Sequence, residues 1–193
     1  MKRTNIHIPG SALPAHRVRR VALVPAVVLP MLAGACGGSS FSSQTANVAG
    51  DYTVDLTTGD NGCMFTSWTP GSSATGVPVT LTQQGANTTA TVGGAAAIVL
   101  DLLFGTALGT SQFHGSVTGG SFSLADYGTT HATDGDCSYT LKATLTGSIS
   151  GDSISGQITY SETTNGAPAC GYHATCTSVQ AFDGVRAPSA DGG

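Results

Sequence analysis

Charge is what this sequence has least of. Charged residues make up only 9% of its 193 positions, and cations are nearly absent from most of it. Lys2, Arg3, Arg17, Arg19 and Arg20 are five of the seven; beyond them only Lys142 and Arg186 remain. All eleven acidic residues follow residue 50, so the chain beyond residue 35 has a net charge near −9. A sparse, acidic surface argues against nucleic acid and anionic membrane surfaces as partners. There is no Cys-x-x-Cys pair, and His114, His131 and His173 form no i, i+2 or i, i+4 metal pair. The apolar run 21–35, VALVPAVVLPMLAGA, is too short for a spanning helix and is interrupted by Pro25 and Pro30.

What remains is dominated by Thr, Ser, Gly and Ala. Regularly spaced Val, Leu, Ile, Phe and Tyr interrupt these polar tracts, which favours one folded β domain with a Thr/Ser outer face over disorder.

The N-terminal region has the layout of an export signal: a basic stretch over 1–20, the apolar run, then Ala33, Gly34 and Ala35 before Cys36. This resembles the lipobox of bacterial lipoproteins, usually Leu-Ala-Gly-Cys, with Ala33 in the leucine slot and Leu32 one place further out. The resemblance implies cleavage before Cys36 and diacylglycerol on its thiol, anchoring the chain to a lipid bilayer. An ordinary secretory signal cut near Ala35 is the alternative. Cysteine parity supports lipidation, because five cysteines in an exported chain leave one odd. Gly37 after the cysteine points to the outer membrane. The expected organisation is a signal peptide at 1–35, a lipidated cysteine and flexible tether at 36–47, a β domain at 48–187 and a disordered tail at 188–193.

Within the β domain the apolar residues alternate. Tyr139, Leu141, Ala143 and Leu145 share one face against Thr140, Lys142, Thr144 and Thr146; Ile154, Ile158 and Tyr160 repeat the pattern. Eight strands are expected at about 50–57, 77–83, 87–93, 110–117, 121–127, 136–148, 153–161 and 176–185. Strands two and three, four and five, and six and seven join through short Gly-bearing turns. The other connections are long. An up-and-down meander puts the short turns at one end and the long loops at the other, and eight antiparallel strands close into a barrel. This architecture resembles that of lipocalins, and Gly50-Asp51-Tyr52 is similar to their Gly-x-Trp opening with Tyr in the aromatic slot. The polar outer face and the lack of aromatic girdles argue against a transmembrane barrel. Strand one would start at the short-turn end, so a tether from Cys36 would point the mouth away from the membrane.

Cys63, Cys137, Cys170 and Cys176 all fall at the long-loop mouth. Two disulfides are expected there; three pairings are open, and Cys63–Cys137 with Cys170–Cys176 is favoured. Asp152 in Gly151-Asp152-Ser153 reads as a turn residue, not as part of a serine nucleophile motif. Asp134-Gly135-Asp136 reads as a turn, and His131 and His173 as solvated loop residues; no catalytic residue, metal or cofactor is expected. Residues 95–104, AAAIVLDLLF, break the alternation and suggest a short helix or buried segment across the mouth, either a plug or a ligand gate. Phe65, Trp68, Leu102, Phe104, Tyr127 and Tyr172 are the candidate mouth residues. The expected function is non-enzymatic: a lipid-anchored envelope protein whose barrel mouth binds a small apolar ligand. The alternative is a filled barrel that contacts another envelope protein through its loops.

Overall fold

The alternating pattern folds as a meander of antiparallel strands. The structure, a computed structural model, describes residues 46–105 and 111–188. Cys36, the leader before it, most of the tether and residues 189–193 lie outside the described residues. The strands are β1 (Gly50–Asn61), β2 (Ser73–Gln84), β3 (Asn87–Val92), β4 (Gln112–Thr118), β5 (Ser121–Tyr127), β6 (Ala132–Asp134), β7 (Cys137–Ser150), β8 (Ser153–Thr164) and β9 (Thr177–Arg186). One helix, α1 (Gly94–Phe104), lies between β3 and β4. The order β5-β4-β3-β2-β1-β9-β8-β7 closes through a β5–β7 ladder from Ser121↔Ser148 to Tyr127↔Lys142. The result is an eight-stranded antiparallel barrel. Short β6 lies outside it, paired with the first residues of β7.

The two ends differ as the connection lengths require. Two-residue turns join β2 to β3, β4 to β5 and β7 to β8 at one end. The loops 62–72, 128–131 and 165–176 lie at the other, together with α1. Two differences from the expected strands have physical reasons. β1 and β2 run further toward the mouth, through Leu56↔Ala74 and Thr57↔Ser73, past a bulge after Val54. Gly76 makes that bulge possible: its φ of 69° suits glycine, and its N–H donates to Asp55 Oδ1 at 2.8 Å. Residues 73–76 read as loop in sequence; Pro78, inside the expected strand 77–83, is tolerated because the β2–β3 ladder ends at Val79↔Val92. The second difference is β6, where three residues of an expected loop pair with β7 as Ala132↔Tyr139 to Asp134↔Cys137.

The inward set packs unevenly along the barrel axis. In the closed half, Gly147 and Gly156 face each other across β7 and β8. Phe122 and Phe182 stack over them with ring centroids 6.3 Å apart. A Cβ at Gly147 would come within 2.8 Å of Phe122 Cζ, and one at Gly156 within 2.7 Å of Phe182 Cζ. Val48, Tyr52, Val117 and Leu124 complete this floor, all buried. The strap Ala46–Val48 crosses the closed end: Val48 N donates to Gln83 Oε1 at 2.8 Å, and Gln83 Nε2 donates to Ala46 O at 3.1 Å. The chain therefore enters the barrel at the end away from the mouth.

Candidate ligand-binding cavity

The mouth half of the barrel is hollow. Aliphatic side chains from β1, β2, β3, β7 and β8, among them Val54, Val79, Leu145 and Ile158, enclose a cavity of about 520 Å³ with Phe113 and Phe182. That is within the range of roughly 300–1,000 Å³ usual for small-molecule sites. The loop 62–72 folds over it. Asn61 exchanges side chain–backbone hydrogen bonds with Phe65 at 2.9 Å in both directions, and Trp68 Nε1 donates to Gly59 O at 2.9 Å. These bonds turn Phe65 and Trp68 inward, where both meet Tyr160. The Trp68 and Tyr160 rings lie 5.5 Å apart and nearly perpendicular, and Phe65 lies 6.1 Å from Tyr160.

The helix roofs part of the cavity instead of filling it. Ala97, Leu100, Asp101 and Phe104 are its buried stripe, at i, i+3, i+4 and i+7. The Asp101 carboxylate accepts a hydrogen bond from Ser111 Oγ, which also contacts Ala97 O. Gly105 ends the helix in the left-handed region at φ 65°, its N–H bonded to Asp101 O. Val99, Leu102 and Leu103 border the cavity yet stay exposed, and Ile98 faces solvent. So this segment is a helix, but not the plug that would pack the lumen.

Of the other mouth candidates, Phe104 is buried in the core as the helix anchor. Tyr127 lies on the outer wall, with Lys142 Nζ 5.3 Å from its ring. Tyr172 ties two loops together through its hydroxyl, 2.9 Å from Gly62 O. Neither tyrosine borders the cavity.

Two disulfides brace the rim, and their pairing corrects the favoured one: they are Cys63–Cys176 and Cys137–Cys170. Closure makes β1 and β9 neighbours, which brings Cys63 at the end of β1 beside Cys176 at the start of β9. Glu162 lies within 4.8 Å of both sulfurs of that bridge. Bonded to each other, those sulfurs offer no thiolate to a metal.

His173 also departs from expectation, because it is not a solvated loop residue. Its Nδ1 lies 2.6 Å from Glu162 Oε2 and its Nε2 3.5 Å from Asp134 Oδ2, with only 12% of the side chain exposed. Its ring stacks on Tyr139 at 4.0 Å. The Glu162 hydrogen bond raises the imidazole pKa, burial opposes the rise, and Asp134 adds to it. His131 instead pairs with Thr140 Oγ1 at 2.7 Å. Asp152 sits in the turn between β7 and β8, at the end opposite these histidines.

Sequence reasoning missed two polar groups. Tyr160 Oη donates to Gln180 Oε1 at 3.1 Å, and both residues border the cavity. Burial pushes the Tyr160 phenol well above its ordinary pKa, so it stays protonated as a donor. Both were recoverable: Tyr160 extends the Ile154, Ile158 alternation, and Gln180 lies two residues before inward Phe182. No protein-family model, curated protein or solved structure matches this chain.

Proposed function

We propose that this chain is a lipid-anchored, non-enzymatic protein of the bacterial cell envelope that takes a small apolar ligand into its barrel. The observation that carries the reading is the apolar volume of about 520 Å³ beneath Phe65, Trp68 and the helix. Burial of a ligand's apolar surface there contributes roughly 25 cal/mol per Å² before the costs of association. Diacylglycerol on Cys36 holds the protein at the outer membrane. The strap Ala46–Val48 at the closed end supports a mouth that faces away from that bilayer. The alternative, a structural lipoprotein that contacts another envelope component, draws on Ile98 and Leu102, exposed on α1. The open volume behind them weighs for binding.

Native mass spectrometry on protein extracted from the membrane fraction tests both parts. The expected result is an acylated N-terminal cysteine and a co-purifying apolar molecule released on denaturation. A chain that carries no small molecule and binds none when offered an apolar library contradicts the ligand reading. Labelled fatty acid that fails to enter the wild-type protein contradicts the anchor.

A further inference from the structure

Among the described residues the cavity wall carries no charged side chain: no Lys, Arg, His, Asp or Glu borders it. The cations among the described residues are all committed elsewhere. Lys142 lies on the outer wall over Tyr127. Arg186 is below the floor, bonded to Tyr52 and Asn47. His114 and His131 are exposed against Thr89 and Thr140, and His173 is held by Glu162 and Asp134. An ionised head group entering the barrel would therefore lose water and gain no counter-charge. Such burial is costly enough that a titratable group enters neutral instead.

Polar groups are present, but only neutral ones. The bond from Tyr160 Oη occupies Gln180 Oε1 and leaves the Gln180 amide nitrogen as a donor on the wall. Nearer the rim, Thr66, Ser67 and Ser72 offer hydroxyls, and Thr58 already donates to Thr69 O and Ser72 O. The deep wall is aliphatic and aromatic. This gradient, from apolar depth to neutral hydrogen-bonding rim, is the shape of an amphiphile without charge.

Resting on the binding function proposed above, we infer that the cavity selects uncharged single-chain amphiphiles: an apolar tail with a hydroxyl or carbonyl head held by Gln180. The corresponding carboxylates and phosphates are rejected. A fatty acid enters only in its protonated form, so its apparent Kd rises about tenfold per pH unit above its own pKa, in proportion to the vanishing neutral fraction. A long-chain alcohol shows no such dependence.

Dodecanol and dodecanoate, equal in chain length, separate the alternatives. Each is titrated into the purified, disulfide-intact protein while the emission of Trp68, the only tryptophan, is followed. At pH 8, dodecanol is expected to bind at least about tenfold more tightly. Dodecanoate gains affinity as pH falls and dodecanol does not. Replacing Gln180→Leu weakens dodecanol roughly two- to tenfold but leaves dodecane unchanged. Gln180→Arg turns the preference toward dodecanoate. Dodecanoate binding as tightly as dodecanol at pH 8 overturns the inference while the binding function stands. If neither compound nor dodecane binds, the cavity reading itself fails, and the inference with it.

Discussion

Tyr52 and Arg186, 134 residues apart, meet at the closed end of the barrel. The guanidinium donates to the phenol oxygen from Nε at 2.9 Å and from Nη2 at 2.6 Å. The phenol in turn donates to Val48 O at 2.9 Å, and Arg186 Nη2 reaches Asn47 O at 3.1 Å. The first strand, the last strand and the incoming strap are thereby joined through one buried hydroxyl. Arg186→Met is expected to lower unfolding free energy in urea by about 1–3 kcal/mol, the usual loss for a charge-assisted hydrogen bond to a buried group. Ligand affinity should stay within about twofold, because the cavity lies at the other end. A large affinity loss at unchanged stability would contradict this division of the barrel.

The disulfides make a comparison possible. Cys63–Cys176 spans 113 residues and Cys137–Cys170 spans 33. On chain-entropy grounds, removing the first as a double alanine variant costs about 1 kcal/mol more than removing the second. Urea denaturation of both variants measures the difference. Peptide mapping of the oxidised protein checks the connectivity: a Cys170–Cys176 peptide would contradict the pairing.

The floor depends on the absence of two side chains. Gly156→Ala puts a methyl group against Phe182 and against the Thr146 carbonyl on the neighbouring strand. A cost of about 1–3 kcal/mol is expected, the range for overpacking a tight core. Gly151→Ala, where no heavy atom lies within 4 Å but φ is 62°, separates backbone strain from crowding. Thermal unfolding should place Gly156→Ala below Gly151→Ala.

His173 predicts a pH dependence with a definite sign. Its pKa is raised above the ordinary 6.5 by Glu162 and Asp134, so folding favours the protonated ring. That contribution is complete below the ordinary value and is lost as pH rises through the folded-state value. The stability advantage of wild type over His173→Gln, read as a difference in thermal midpoint, should be largest near pH 5.5 and shrink toward pH 8.5. An advantage that grows with pH would contradict the contact.

Much of the barrel was legible because β-strand chemistry is local. The alternation around Leu141 to Leu145 and Ile154 to Tyr160 and the short glycine turns were enough to place six of the eight wall strands closely and to sort the loops to one end. Other features depend on closure, which no local pattern encodes. Cys63 and Cys176 are far apart in sequence and adjacent only because the first and last strands pair. A preference for nearby cysteines therefore misjudged them. Phe65 and Trp68 stood out as aromatics in a long loop. Gln180 and Glu162 did not: they continue the alternations of Phe182 and of Ile158 and Tyr160, but a face traced by its apolar residues passes over polar ones. The mouth extension of β2 over residues 73–76 was hidden by Gly76, a residue type that usually marks a turn and here shapes a bulge.

The central claim is that the mouth half of the barrel is an open apolar site. Ala90 is fully buried on the cavity wall, so Ala90→Phe fills the volume without touching the rim. Titration with phenylnaphthylamine, a neutral apolar dye, reads occupancy through dye emission and Trp68 quenching. Wild type is predicted to bind one dye saturably, and Ala90→Phe, with both disulfides intact and a cooperative unfolding transition, to bind at least about tenfold more weakly. Equal dye binding by the two proteins, or none by wild type, would contradict the account.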